Sequence, residues 1–270
     1  MQGKACLVIL AILNFWAACQ AQAAGETMGL GASMLARGFV PDPWGTDPES
    51  WICNPSLLDP RGGFQVGAGY VSLYGLPALT VRSLALGTGL GPVGLGWSIG
   101  TFGWQAYRET NNWLGFSIGP GPLRLGGSLL ISRSWFRNYG ATTSLGTGAG
   151  ALLVLSPAFR VSFASCYLDL GRNEALIRQS FAQIAWKGAF PLFVSLSLVK
   201  EVGFPVEWRA GFEYSLRGRL FLRAGATGGP ERITAGIGFA AGRARLNYAF
   251  VDHAQLGATH AVSLDISGPR

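Results

Sequence analysis

The sequence predicts an all-β protein, a transmembrane antiparallel β-barrel of about fourteen strands with an N-terminal plug segment. Three observations lead to this prediction. The chain begins with a segment typical of an export signal, it is unusually apolar without containing a membrane-spanning helix, and its side chains alternate in polarity with a period of two. Because only helices and closed sheets satisfy all backbone hydrogen bonds in hydrocarbon, an apolar exported chain without spanning helices favours a barrel.

The first residues have the three parts of a secretory signal. Lys4 provides the positive charge, residues 5–18 form an apolar run, and Ala21-Gln22-Ala23 is a small-x-small cleavage site. The apolar run is shorter than the ~20 residues that a spanning helix needs. We therefore expect Sec-type export and removal of residues 1–23.

The composition of the chain is unusual for a protein in water. Charged residues make up 13% and hydrophobic residues 49%, with 40 glycines, whereas soluble domains carry about 25% charged residues. The most apolar later stretch, residues 145–159, is interrupted by three glycines and Pro157. We expect the protein to reside in the outer membrane, in contact with outer-membrane lipid and lipopolysaccharide. The formal net charge of +7 comes from scattered arginines rather than a clustered basic face, so nucleic acid is not an expected partner.

Residues 24–61 differ from the rest of the chain. Prolines and aspartates punctuate this segment and no part of it alternates for long, so it is unsuited to a barrel wall. It also contains Trp44 and Trp51, which favour packing against another part of the protein. We predict a short helix near residues 28–37 and a plug, either inside the barrel or at its periplasmic mouth.

Residues 62–270 form the predicted barrel. Alternation is clear from residue 206 to 266, where Trp208, Phe212 and Tyr214 alternate with charged residues and glycine. We expect the apolar series to face lipid and the polar series to face the lumen. The predicted strands lie near residues 63–74, 78–88, 92–103, 109–119, 122–134, 143–155, 158–169, 176–187, 191–202, 205–216, 219–226, 232–241, 243–251 and 259–268.

Two stretches resemble one family of membrane proteins. Residues 31–57, with Trp51-Ile52-Cys53-Asn54-Pro55, resemble the N-terminal motif of PorV/PorQ-type, FadL-like outer-membrane proteins. Residues 246–264, with Asp252-His253 and Leu256-Gly257-x-Thr259-His260, are similar to the closing hairpin of the PorV-like group. The resemblance implies a fourteen-stranded barrel with a plug. It also implies one of two roles, uptake of hydrophobic compounds in the FadL branch or protein secretion and surface attachment in the PorV branch.

Asn54, Pro55 and Trp51 are the predicted plug motif. Asn54-Pro55 could be a rigid pivot that holds the plug across the lumen, or an ordinary turn in which the Asn side chain bonds the backbone. Cys53 and Cys166 are the cysteines that remain after signal removal. They could form a disulfide between plug and wall, since the envelope is oxidising, or be two buried free thiols.

The closing hairpin contains both histidines of the chain, His253 and His260, with Asp252 and Thr259 nearby. The spacing matches no standard metal or catalytic motif, so we interpret these residues as fixing the turn and expect no enzyme activity, metal or cofactor. The charged residues of the inward series either line a selectivity path or form an ion-pair network that fills a plugged lumen, and we favour the network. These residues are Arg124, Arg160, Glu207, Arg209, Glu213, Arg223, Arg245 and Asp265.

Two functions follow from the sequence. In the first, which the short loops and the PorV-like hairpin favour, the barrel docks secretion machinery or cargo proteins and conducts nothing. In the second, which the FadL-like plug motif favours, a hydrophobic ligand crosses the outer membrane past a movable plug.

Overall fold

The structure, a computed structural model, describes residues 31–119, 121–169, 179–188 and 190–268. The predicted signal of residues 1–23 and the first part of the predicted plug lie outside these ranges. Two short helices, α1 (Ala32–Ala36) and α2 (Ser50–Cys53), precede the barrel. Two single 3-10 turns follow at Pro55–Leu57 and Leu73–Gly75. No helix in the described part of the chain is long and apolar enough to cross a membrane.

Fourteen antiparallel strands form a closed barrel in which each strand pairs with its neighbours in sequence and β1 pairs with β14. The strands are β1 (Gln65–Ser72), β2 (Thr80–Leu90), β3 (Val93–Gly103), β4 (Tyr107–Ile118), β5 (Leu123–Phe136), β6 (Gly140–Val154), β7 (Phe159–Asp169), β8 (Gln179–Lys187), β9 (Leu192–Glu201), β10 (Glu207–Leu216), β11 (Leu220–Gly228), β12 (Glu231–Ala241), β13 (Ala244–His253) and β14 (Gly257–Ser267). The predicted fold class and strand number are confirmed.

Side chains face the two sides of the wall as the alternation indicates. Trp208 and Leu264 are 45% and 44% exposed on the outside, whereas Arg223 and Asp265 are 3% and 2% exposed on the inside. The outer surface is therefore a band of leucine, isoleucine, valine and aromatic side chains. The inside is buried, and polar groups and glycine are prominent there, because residues 31–62 fill the lumen. We call residues 31–62 the plug.

Glycines make the inner wall thin enough for the plug to fit. A Cβ atom at Gly115 would lie 2.6 Å from the ring of Trp51, and one at Gly225 would lie 2.7 Å from Gly38 Cα. Real Cβ atoms do not approach other atoms so closely, so these positions exclude any larger residue unless the plug moves. The glycines of the inner wall thus leave the space that the plug occupies.

Candidate functional site

The plug contacts the wall through an apolar half and a polar half. In the apolar half, α1 packs its alanines, Met34 and Leu35 against small wall residues such as Val81 and Ala249. Burial of these groups stabilises the plug inside the barrel without any directional bond. The predicted short helix near residues 28–37 corresponds to α1.

A sharp bend after α1 returns the chain across the lumen. Gly38 and Phe39 both have positive φ, 68° and 64°. The hydroxyl of Thr234 on β12 accepts a hydrogen bond from the Gly38 N–H (3.0 Å) and donates one to the Ala36 carbonyl (2.9 Å). The bend is held by the wall because both of these bonds come from a strand residue.

Arg37 is the centre of the polar half. Its guanidinium forms an ion pair with Asp47 of the plug and donates to Glu213 on β10 at 2.8 Å. Burial by itself lowers the pKa of Arg37, but the carboxylates of Asp47 and Glu213 outweigh it and raise the pKa above its ordinary value. Burial likewise acts to raise the pKa of Asp47, yet Arg37 and Arg245 bring it down to about 2. Both groups are therefore charged at neutral pH.

The wall continues this ionic network over several strands. Arg223 donates to Glu213 at 2.6 Å and to Asn247 at 2.9 Å, and Asn247 donates to Asp265 at 2.7 Å. Arg245 lies 3.5 Å from Asp47. The predicted lumen-lining residues of β10, β11, β13 and β14 are thus brought together around the plug, in the ion-pair arrangement that we favoured from the sequence.

Glu49 is a buried carboxyl group beside this network. It is 1% exposed, and neither carboxyl oxygen has a hydrogen-bond partner among the described residues. A Cβ at Gly67 of β1 would lie 2.5 Å from its Oε1, so the wall presses directly against it. Burial, followed by the nearby carboxylates of Asp265 and Asp47, raises the pKa of Glu49 well above its ordinary value.

The remaining predicted arginines contact other parts of the plug. Arg124 donates to the Leu58 carbonyl (3.2 Å) and to Asp59 (2.9 Å). Arg160 donates to the Pro43 carbonyl (2.8 Å), and its guanidinium lies 4.9 Å from the Trp44 ring centroid. Glu207 and Arg209 pair with each other at 2.9 Å, and Arg209 stacks over Phe39.

The plug motif lies in the lumen between these anchors. Trp51 is buried against Gly96 and Gly115. The side chain of Asn54 accepts hydrogen bonds from the Ser56 N–H (3.1 Å) and hydroxyl (2.7 Å), which starts the 3-10 turn at Pro55. Asn54 Oδ1 also occupies the space that a side chain at position 150 would need. Asn54-Pro55 therefore forms a local turn and also contacts the barrel wall inside the lumen.

The two cysteines are neighbours but are not bridged. Both are free thiols, and the Cys166 thiol donates to the Cys53 carbonyl at 2.8 Å. Burial raises the pKa of Cys53 to about 11. Cys166 is buried and Cys53 is partly buried, so the structure has two unbridged thiols, and a disulfide between them stays a prediction that labelling tests.

The closing hairpin separates its two histidines. His253 Nδ1 accepts from the N–H groups of Gln255 (3.2 Å) and Leu256 (3.3 Å), which fixes the turn. His260 is exposed on the outer face and hydrogen-bonds Tyr248 at 2.8 Å. Thr259 points inward and accepts from the Tyr74 N–H at 3.1 Å, whereas Asp252 is exposed. Within the described ranges no three His, Cys, Asp or Glu residues are grouped to hold a metal.

Sequence reasoning missed most of the plug's own polar contacts. Arg37, Asp47 and Glu49 were not singled out, nor were the wall residues Thr234 and Gln183, whose amide donates to the Pro41 carbonyl at 2.8 Å. A lone arginine in the apolar stretch around residue 37 is a signal that could have been used, because a buried guanidinium needs a carboxylate partner.

Comparison with known proteins shows similarity at the level of the fold. No family model matches the sequence, and no curated protein matches it. The Ralstonia pickettii toluene transporter TbuX aligns with a TM-score of 0.67 and 11% identity, over 89% of this chain and 99% of that one. The Pseudomonas putida toluene transporter TodX aligns with a TM-score of 0.62 and 13% identity, over 90% and 98%. A Pseudomonas aeruginosa FadL homologue aligns with a TM-score of 0.63 and 10% identity, over 89% and 98%. The chain is therefore a fourteen-stranded barrel with the fold of FadL-like outer-membrane channels.

Proposed function

We propose that the protein is an outer-membrane channel for hydrophobic small molecules, closed by its plug in the conformation described above. The observation that carries the proposal is a plug built into the lumen of a barrel whose fold is shared with two toluene transporters. In this proposal residues 1–23 are a removed Sec-type signal, residues 24–61 are the N-terminal segment that supplies the plug, and residues 62–270 are the barrel.

The outer surface supports a membrane location. Lipid-facing positions such as Leu114, Phe116 and Leu264 are 48%, 50% and 44% exposed, which would be unfavourable in water over so large an area. All strands except β1, which has eight residues, reach the ~9 residues that a tilted transmembrane strand requires. A closed antiparallel barrel with an apolar outside and a polar inside is the arrangement of outer-membrane proteins.

Little space remains where the plug meets β1 and β2, so in this proposal transport requires the plug to move. The space between the plug and β1–β2 near Trp51, Leu58 and Gln65 is about 10 Å³, about the volume that one water molecule needs. Many plug–wall contacts are ion pairs and hydrogen bonds, which water can replace when the plug shifts. A buried ion pair adds little net stability compared with apolar packing.

The PorV-type role is less well supported. The preference for docking rests on the short loops and the sequence of the closing hairpin, whereas two of the solved structures described above are toluene transporters. A barrel that only docks proteins has no need for a plug with exchangeable contacts. We therefore place transport ahead of docking.

Displacement of the plug tests the proposal. In Gly225→Ala the new methyl group would overlap the backbone of Arg37 and Gly38. Overpacking of this kind costs up to ~3 kcal/mol, which would increase the displaced population about a hundredfold. Gly87→Ala is the matched control, because its Cβ would meet only Leu58 Cδ2, at an ordinary 3.4 Å.

Two measurements would be made on each protein. We expect wild type to increase the uptake of labelled toluene by cells that lack other such channels. In planar bilayers, we expect the Gly225→Ala variant to conduct ions and Gly87→Ala to stay closed like wild type. Absence of toluene uptake at equal amounts of folded barrel, together with a stoichiometric partner in pull-downs from envelope extracts, would refute transport and favour docking.

A further inference from the structure

A cationic cavity lies on the outside of the barrel, away from the plug. Its volume is about 610 Å³, and it is formed by β4, β5 and the loops at their ends. It is lined by Gln105, Arg108, Thr110, Arg133, Trp135 and Arg137. We call it the arginine cavity. The proposed channel function makes no use of it, and none of its residues contributes to the lumen.

The arginine cavity belongs to the lipid-facing side of the wall. The neighbours Glu109 and Ser132, which point the opposite way, are only 7% and 9% exposed. Arg108 and Arg133 are exposed and lie in the same series as Leu114 and Ile131. The two strands pair so that Thr110 faces Arg133 and Arg108 faces Trp135, which collects these four side chains on one outer surface.

The cavity lies where the outer surface changes from apolar to polar. Ile131 on β5 still has the apolar character of the lipid-facing band, and Arg133 is the next residue on the same face. On β4 the last large apolar side chain of that face is Leu114, followed by Asn112, Thr110 and Arg108. Charged side chains on the outer face are tolerated near the interface and not at the centre of the bilayer. Trp135 is also typical of the interface, where its indole can contact both acyl chains and headgroups.

The two ends of the barrel can be assigned to the two sides of the membrane. At the end where β1 begins and β14 ends, the links between strands are two to four residues long, whereas the described links at the other end reach seven residues, in 73–79. Short turns face the periplasm and longer loops face the outside in barrels of this class. The arginine cavity is at the longer-loop end, and therefore at the level of the outer leaflet.

The three guanidinium groups have no counter-charge in the part of the chain that the structure describes. Among the described residues, none of Arg108, Arg133 and Arg137 forms an ion pair or side-chain hydrogen bond, in contrast to the arginines of the lumen. Like charges collected on one surface repel one another unless an anion lies between them. Arginine is well suited to phosphate, because its planar fork donates two parallel hydrogen bonds to neighbouring oxygens.

We propose that the arginine cavity binds a phosphate group of an outer-leaflet glycolipid, namely a lipid A phosphate of lipopolysaccharide. This rests on the proposed function in one respect, since it requires the barrel to lie in the outer membrane. A phosphate monoester carries a charge of about −1.5 to −2, which three arginines match better than the single charge of a phospholipid diester. The adjacent Trp135 and Gln105 provide a flat ring and an amide for the sugar that carries the phosphate.

The test compares lipids and variants with the full mature chain in nanodiscs of neutral lipid. Binding of diphosphoryl lipid A is measured by native mass spectrometry beside lipid A without phosphates, phosphatidylglycerol and inorganic phosphate. The variant Arg108→Gln/Arg133→Gln/Arg137→Gln removes the cluster. The control Arg217→Gln/Arg219→Gln/Arg243→Gln removes the same charge from exposed turns at the opposite end.

We expect the cluster variant to lose at least about tenfold in affinity for diphosphoryl lipid A, because each charge-assisted bond is worth about that much. We expect the control to change less than twofold, and lipid A without phosphates to bind as weakly to wild type as to the cluster variant. Equal losses in both variants, or equal affinity of wild type for phosphatidylglycerol, would overturn the proposal. So would inorganic phosphate binding that accounts for the whole effect.

Two further readouts keep the result interpretable. Heat-dependent mobility on gels shows whether each variant has a folded barrel, and toluene uptake reports the proposed function separately. A variant that is folded, inserted and active in uptake but unchanged in lipid A affinity would refute this inference alone. A wild-type chain that does not insert into membranes would refute the proposed function as well.

Discussion

Replacement of Glu49 by glutamine should remove a pH dependence from the stability of the protein. The carboxyl group is buried, has no hydrogen-bond partner among the described residues, and faces the carboxylates of Asp47 and Asp265. Among the described residues, Arg245 on β13 is the positive charge that acts on it. Glu49→Gln keeps the size and shape of the side chain and cannot ionise.

The sign and size of the effect follow from proton linkage. The folded protein holds the Glu49 proton above the ordinary pKa of 4.5, because the folded-state pKa is raised, while the unfolded chain releases it. Rising pH therefore favours the unfolded chain, by about 1.4 kcal/mol per pH unit until the folded-state pKa is reached. Asp47 acts in the opposite direction but at lower pH. Its pKa falls from 3.8 to about 2, so the stability that it contributes is lost only as the pH drops through that range.

The assay is guanidinium unfolding in detergent micelles, followed by tryptophan fluorescence between pH 5.5 and 8.5. We expect the free energy of unfolding of wild type to decrease with pH and that of Glu49→Gln to decrease less steeply over the same range, because the other carboxyl groups titrate in both proteins. Glu231→Gln, at an exposed position, should keep the wild-type slope. If wild type and Glu49→Gln have the same slope, the carboxyl group is hydrated or paired in the native protein and our argument for its protonation is wrong.

Two further predictions concern the plug. Asp47→Asn should destabilise the folded state by ~3 kcal/mol, since it leaves the buried guanidinium of Arg37 without its plug carboxylate. Asp59→Asn, whose side chain is 28% exposed, should cost less than ~1 kcal/mol, and equal effects in the same unfolding assay would contradict this view. Cys53 and Cys166 should react slowly with a maleimide in the native barrel and react together after unfolding without reductant, because Cys166 is buried, Cys53 is partly buried and the raised pKa of Cys53 leaves little thiolate. Intact mass measures the labelling, and a product with neither thiol labelled after unfolding would indicate a disulfide.

The wall was predictable because its pattern is local. Each strand alternates with a period of two, and a wrong register would turn its leucines into the lumen and its arginines into lipid. Strand boundaries also follow from nearby glycine and proline residues, and the predicted ends lie close to those of the structure. The plug was recognisable as a non-strand segment for the same reason, since its prolines interrupt any ladder.

The contacts of the plug were not predictable in this way. Arg37 and Glu213 are 176 residues apart in sequence, and nothing in the neighbourhood of either residue identifies the other. The glycines that receive the plug also look like ordinary turn or strand glycines until a second backbone is seen next to Gly211 and Gly225. The two cysteines illustrate the same limit, because their proximity comes from closure of the barrel around α2.

By itself, the sequence determined which side chains face lipid, how many strands enclose the lumen and that a separate segment precedes them. These properties arise from the two-residue repeat of a strand and from the cost of placing charge in hydrocarbon. Only the tertiary structure decided which residues meet inside the barrel and which arginines remain unpaired on its outer rim. Closure brings together strands that are distant in sequence, and the energies of ion pairs and close packing depend on those distances.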